Sequence, residues 1–188
     1  MLATLVVMIS TAVAVIFAAS TVGKLRAFGA FRSSVAKFVP TRLVGLVAVA
    51  VVAAEGVLAT GLVVAELSGQ PGARAAALVG AAALLVCFTV VIAKALRQGG
   101  RVTCRCFGAE SAPIGARHIG RNLLLALAAA GASAGALARP ESPPPAWYAV
   151  AAGAGLLLAG LSTQLDALVE LFAAPRPPAV RGAADRHA

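Results

Sequence analysis

Five long apolar stretches constrain this chain more than any other feature. They cover residues 2–19, 43–67, 75–93, 119–138 and 146–165. Three carry no charge; the second is interrupted by Glu55 and Glu66, and the fourth by Arg121. A membrane-spanning helix needs about 20 mostly apolar residues. Lipid offers no partner for open backbone N–H and C=O groups, so such runs must be helical. The expected fold is an all-α polytopic membrane bundle of about five transmembrane helices. Composition closes the other routes. Of 188 residues, 60% are hydrophobic and 12% charged. A soluble core of this size cannot hide so much apolar surface, and a disordered chain needs far more polar residues. The net charge of +9 would suit a nucleic-acid partner, but the hydropathy does not. The partner read from composition is the lipid bilayer.

The charges set an orientation. The links after the successive spans, ending with the tail, carry 5, 1, 5, 1 and 3 basic residues. Positively charged loops stay in the cytoplasm, which predicts an N-terminus outside and a C-terminus inside. No Lys or Arg precedes the first apolar core, so it reads as a retained span and not a cleaved signal. Arg outnumbers Lys 13 to 3 and Ala and Gly abound; this points to a GC-rich bacterium and its plasma membrane. Residues 1–172 are expected to form one transmembrane domain and 173–188 a disordered basic tail.

The links hold further signals. Leu25, Phe28, Phe31, Val35 and Phe38 recur at helical spacing, with basic residues between them. This predicts an interfacial helix ended by Pro40, its basic face toward anionic headgroups or its phenylalanines against the bundle. Lys24 is expected to snorkel to the interface. Pro71-Gly72 predicts a tight turn that makes spans two and three antiparallel neighbours. Trp147 and Tyr148 belong at the membrane interface. Gly131 and Gly135 form a GxxxG pair that permits close helix contact. Beyond Leu165, Asp166 and Glu170 share one face of an amphipathic end of span five.

Three features offer chemistry. Cys104-Arg105-Cys106 stands in a basic link, where Arg101, Arg105 and Arg117 favour the reactive thiolate. A disulfide across one residue is strained and exchanges readily, which suits thiol–disulfide exchange. A metal site with His118 as third ligand, or an inert reduced pair, are the competing readings; structural zinc prefers four ligands at wider spacing. Cys87, within span three, reads as a small buried hydrophobe. Glu55 lies at the centre of span two, where a carboxylate is costly unless paired or protonated. It is either a functional group or an interhelical hydrogen-bonding residue, with Gly56 and Gly61 admitting a neighbouring helix. Arg121, one turn into span four, needs a partner among Glu110, Asp166 and Glu170; it, His118 and Lys24 read as supporting residues. No cofactor is implied.

Taken together, these residues resemble a known family. Ser20-Thr21-Val22-Gly23-Lys24-Leu25 with Phe28 and Phe31 is similar to the motif after span one of DoxX-like membrane proteins. Glu55-Gly56, Cys104-Arg105-Cys106-Phe107-Gly108, Pro113-Ile114-Gly115, His118 and Arg121-Asn122 narrow the resemblance to the methylamine utilisation protein MauE family, over roughly residues 1–138. The resemblance implies a four-helix core and a membrane protein that assists maturation or transport of an exported, disulfide-rich client, the small subunit of methylamine dehydrogenase. The preferred reading has Cys104 and Cys106 exchange disulfide with a thioredoxin-like redox partner. The core is similar to vitamin K epoxide reductase-type membrane oxidoreductases as well, but those carry Cys-x-x-Cys in the bundle, not Cys-x-Cys in a link. Two further roles stay open: a non-enzymatic scaffold or translocation factor, and a small-molecule or proton carrier centred on Glu55.

Overall fold

The computed structural model describes residues 1–97, 116–138 and 143–172, with side chains to 164. Cys104, Arg105, Cys106, Glu110 and the tail therefore lie outside the described residues, as do the side chains of Asp166 and Glu170. Among the described residues six helices form: α1 Leu2–Arg26, α2 Phe28–Val35, α3 Val44–Ser68, α4 Pro71–Arg97, α5 Ala116–Ala138 and α6 Pro145–Phe172. All but the short α2 are long and apolar enough to cross a membrane. The molecule is a multi-pass membrane protein.

The hinge between α3 and α4 explains their antiparallel packing. α3 ends in left-handed Gly69, at φ 63°. The Gln70 N–H then donates to the Ala65 carbonyl at 3.3 Å, closing the last turn as a glycine-terminated helix does. Pro71 begins α4 at a position where its missing N–H costs nothing. The turn is thus made by Gly69-Gln70; Pro71 and Gly72 already belong to α4.

α1 is the central helix and packs against α3, α5 and α6. Val6, Val13, Ala14 and Phe17 meet Ala59 and Leu62 of α3, Leu78, Ala81 and Leu85 of α4, and an alanine face of α5 at Ala126, Ala129, Ala132 and Ala136. Small residues let the α5 backbone approach closely, the usual basis of helix packing in lipid. α6 lies outside this core cluster and packs on α1 through Ala151, Gly155 and Ala159. Of the GxxxG pair, only Gly135 makes a close approach, to Val6 and Leu2 of α1; a Cβ on Gly131 would meet nothing within 4 Å. Leu46, Val57, Leu67, Val90, Leu127 and Leu157 are exposed on the outside, as lipid-facing side chains must be. Cys87 is exposed there too, so it is not a buried core residue; its position on α4 turns away from the bundle.

The segment after α1 is shorter than its periodicity predicts. Ala27, at φ −120° and ψ 39°, breaks the helix, and α2 ends at Val35 rather than at Pro40, which instead opens a 3-10 turn at Thr41–Leu43. Phe28, Phe31 and Val35 pack against Val44 and Ala48 of α3, and Phe38 packs on Ala95 of α4. Leu25 does not join this face; it is exposed. Arg26, Arg32, Lys37 and Arg42 are exposed. The phenylalanines therefore serve the bundle, and the basic residues project from it.

Candidate functional site: a buried ion pair between α1 and α3

Lys24 and Glu55 meet inside the bundle. Lys24 is 3% exposed and Glu55 0%. The lysine does not snorkel to the surface. Helical side chains tilt toward the N-terminus of their own helix, and α1 and α3 run in opposite directions. Lys24 thus leans inward from near the end of α1, while Glu55 leans back toward the start of α3. Glu55 sits roughly 16 Å along α3 from Val44 at 1.5 Å per residue.

The geometry is complete around the ammonium. Lys24 Nζ donates to Glu55 Oε1 at 2.6 Å, to Oε2 at 2.8 Å and to Ser20 Oγ at 2.5 Å. These use all three of its protons. Ser20, one turn before Lys24 on the same helix face, donates its own hydroxyl to Glu55 Oε1 at 3.1 Å. Phe31 of α2 and Phe88 of α4 place their rings 5.6 Å and 5.5 Å from Nζ, within the range of a cation–π contact. One lysine therefore joins α1, α2, α3 and α4. Beside it, a Cβ on Gly56 would sit 3.8 Å from Thr21 Cγ2, an ordinary contact, whereas one on Gly61 would meet nothing. Gly56 faces α1, and Gly61 faces away from its neighbours.

A desolvated charge costs several kcal/mol, repaid only when geometry is good and the remaining lone pairs and protons are bonded. Here they are. The carboxylate is neutralised and triply bonded, so its first role is to fix α1 against α3. Shortening Phe31 to Ala removes one ring from the cation and should lower stability by about 0.5–2 kcal/mol, while Phe31→Tyr keeps the ring face and should retain most of it. Chemical or thermal unfolding in detergent measures both.

A second polar layer lies at the other end of the α1–α3 interface. Arg74 of α4 pairs with Glu66 of α3, Nε to Oε1 at 3.0 Å, with both side chains nearly buried. The Tyr148 hydroxyl of α6 donates to Glu66 Oε2 at 3.4 Å, and Ser10 of α1 lies against the same carboxylate. Arg74 is thus not a loop charge but a core residue of the first turn of α4. Bonding here is incomplete. Ser10 Oγ, Glu66 Oε1 and Arg74 Nε are buried without an aligned hydrogen bond; the ion pair is close, but its N–H points off the oxygen.

The remaining predicted residues are distributed. Arg121 of α5 donates Nη1 to the Ser162 carbonyl of α6 at 3.1 Å; the acidic partners expected for it, Glu110, Asp166 and Glu170, lie outside the described side chains. His118 is half-buried in the first turn of α5, and Asn122 is buried. The link carrying Cys104 and Cys106 joins the C-terminal end of α4 to the N-terminal end of α5. Sequence reading missed Phe88 and the Glu66–Arg74 pair. A signal for the pair existed: Glu66 and Arg74 stand at equal distances either side of Gln70 in the α3–α4 hairpin, so opposite charges must face each other.

Five spanning helices around a buried Lys–Glu pair define a polytopic helical membrane protein with an internal electrostatic lock. The model of the methylamine utilisation protein MauE family matches residues 2–135, and the chain belongs to that family. The matched region runs from α1 nearly to the end of α5 and includes Lys24, Glu55, Cys104 and Cys106; α6 lies beyond it. A search of the curated proteins and a search of the solved structures each find no match.

Proposed function

We propose that this protein is a membrane thiol–disulfide exchange factor that assists maturation or transport of an exported, cysteine-rich client, such as the small subunit of methylamine dehydrogenase. The observation that carries this reading is the family match across residues 2–135, which includes Cys104 and Cys106. One thiolate of the pair attacks a client disulfide, forming a mixed disulfide and expelling the client's other sulfur as a thiolate, which takes up a proton. The second cysteine attacks that mixed disulfide. Cys104 and Cys106 are then oxidised, and the client leaves as a dithiol, having received two electrons. A reduced thioredoxin-like dithiol restores the pair by the same exchange and becomes a disulfide itself. The neighbouring Arg101, Arg105 and Arg117 hold the thiols toward the reactive thiolate form.

On this reading the link faces the cytoplasm of a bacterium, as the basic residues predict, and electrons come from the cytoplasmic pool. The pair then keeps client thiols reduced until export. Lys24 and Glu55 are positioning residues that fix α1 against α3, on which the two helices joined by the link, α4 and α5, pack. A carrier centred on Glu55 is the second reading, favoured by a carboxylate within a span; it requires the bonds from Lys24 and Ser20 to break during each cycle.

The test is a Cys104→Ser, Cys106→Ser double variant. Loss of correctly paired client at unchanged membrane levels is the expected result, read by thiol trapping of the client. Unchanged client disulfides would remove the cysteines from the function and leave the scaffold or carrier roles.

A further inference from the structure

We infer that the outward face at the junction of α1 and α2 binds one anionic phospholipid, its phosphodiester held by Arg26 and Arg32 and an acyl chain lying along Ala18, Val22 and Leu25. The inference rests on the membrane fold and not on the redox reading. It starts from a step in the bundle. Ser20 bonds Glu55, and Thr21 faces Gly56, which fixes the register of the antiparallel α1 and α3. Arg26 ends α1 five residues beyond Thr21, whereas Val44 starts α3 twelve residues before Gly56. The difference of seven residues, at 1.5 Å each, leaves α1 roughly 10 Å shorter than α3 at this end. α2 fills the step, with Phe28, Phe31 and Val35 against Val44, Val47 and Ala48.

The step sets cations at a depth where α1 and α3 still show hydrocarbon-facing side chains. Val22 and Leu25 of α1 are exposed, and so are Leu46 and Val49 in the first turns of α3. Arg26 follows Leu25 directly, and Arg32 lies on the exposed face of α2 with Gly29 and Ser33. Neither guanidinium has an ion-pair partner among the described residues. The two carboxylates among the described side chains, Glu55 and Glu66, are already paired inside the bundle. Like charges beside apolar surface are neutralised by an anion that can reach that depth. A phospholipid supplies it: its phosphodiester accepts the forked hydrogen bonds of arginine, and its acyl chain covers the apolar stripe of α1. The site also touches the buried ion pair. Phe31, next to Arg32, places its ring 5.6 Å from Lys24 Nζ, so a lipid held at Arg32 braces α2 over that pair.

Native mass spectrometry of the full chain in detergent, titrated with phosphatidylglycerol or phosphatidylcholine, tests the site. The first phosphatidylglycerol should bind at least about tenfold more tightly than the first phosphatidylcholine, since each arginine near the headgroup favours the anion. An Arg26→Gln, Arg32→Gln double variant should lose that preference. Lys94→Gln with Arg97→Gln removes the same charge from exposed residues at the same end of the bundle and should keep it. Arg32→Gln alone should weaken the preference about fivefold, and it is the reporter should the double variant fail to reach the membrane. Soluble glycerol phosphate should not displace the bound lipid; displacement would make the free anion the ligand and overturn the lipid site. Equal binding of the two lipids would also overturn it and leave the face to an acidic protein segment. Equal loss in both double variants would reduce the site to a diffuse attraction and sink the proposal.

Discussion

Replacing Glu55 by Leu is expected to destabilise the bundle by about 3–5 kcal/mol, because it strands a buried ammonium. Lys24→Met should cost a similar amount by stranding the carboxylate. The double variant should be far milder than their sum, since an apolar pair of similar volume often replaces a buried ion pair at little cost. A double-mutant cycle in detergent should therefore show strong coupling, whereas distant sites add independently. Glu55→Gln keeps the shape and loses only the charge, so it should fall between wild type and Glu55→Leu. If Glu55 instead serves a carrier, Glu55→Gln should be fully stable yet inactive. Independent, additive effects of Lys24→Met and Glu55→Leu would contradict the pair.

The second large effect is at Gly155. A Cβ there would sit 2.5 Å from the Met8 carbonyl oxygen and 2.9 Å from Thr11 Cβ. Backbone cannot move aside as a side-chain tip can, so even Gly155→Ala must push α6 off α1. The expected loss is about 1–3 kcal/mol, typical of overpacking, and more for Gly155→Leu. Gly61→Ala is the matched control, because nothing lies within 4 Å of its added carbon. Gly80→Ala should be intermediate: its obstruction is the flexible end of Leu58, at 2.8 Å. α6 is also held by the Arg121 bond to Ser162 and the Tyr148 bond to Glu66, so Gly155→Leu should weaken both. Equal stability of Gly155→Ala and Gly61→Ala would mean that α6 does not pack as described.

Much of this architecture is legible in the sequence because lipid imposes a strong rule. Long uncharged runs must be helices, and all five expected spans form. The misreadings share one physical origin. Hydropathy assigns a charge near the end of a span to the water outside it. Lys24 and Arg74 both stand at such ends, yet both turn inward, because a carboxylate on a neighbouring helix waits at matching depth. α1 therefore extends through Ser20, Thr21 and Lys24 to Arg26, and α4 begins at Pro71 instead of within the apolar run. Glu55 is conspicuous alone, since nothing ordinary explains a carboxylate at mid-span. Its partner is not, since pairing depends on the antiparallel register of α1 and α3. Cys87 shows the converse limit. Apolar sequence within a span cannot say which face meets lipid, because a lipid-facing residue and a core residue have the same hydropathy.

The central claim is that Cys104 and Cys106 exchange disulfides with a partner at the membrane. Trapping tests it most directly. A Cys106→Ser variant leaves Cys104 to form a mixed disulfide that its missing neighbour cannot resolve. Cells expressing it should yield a reductant-sensitive adduct joining Cys104 to a cysteine of a thioredoxin-like protein or of the exported client. The Cys104→Ser, Cys106→Ser double variant should yield none. If the Cys106→Ser variant forms no such adduct at normal membrane levels, and both thiols of the unaltered protein label identically after oxidation and reduction, the redox account is wrong.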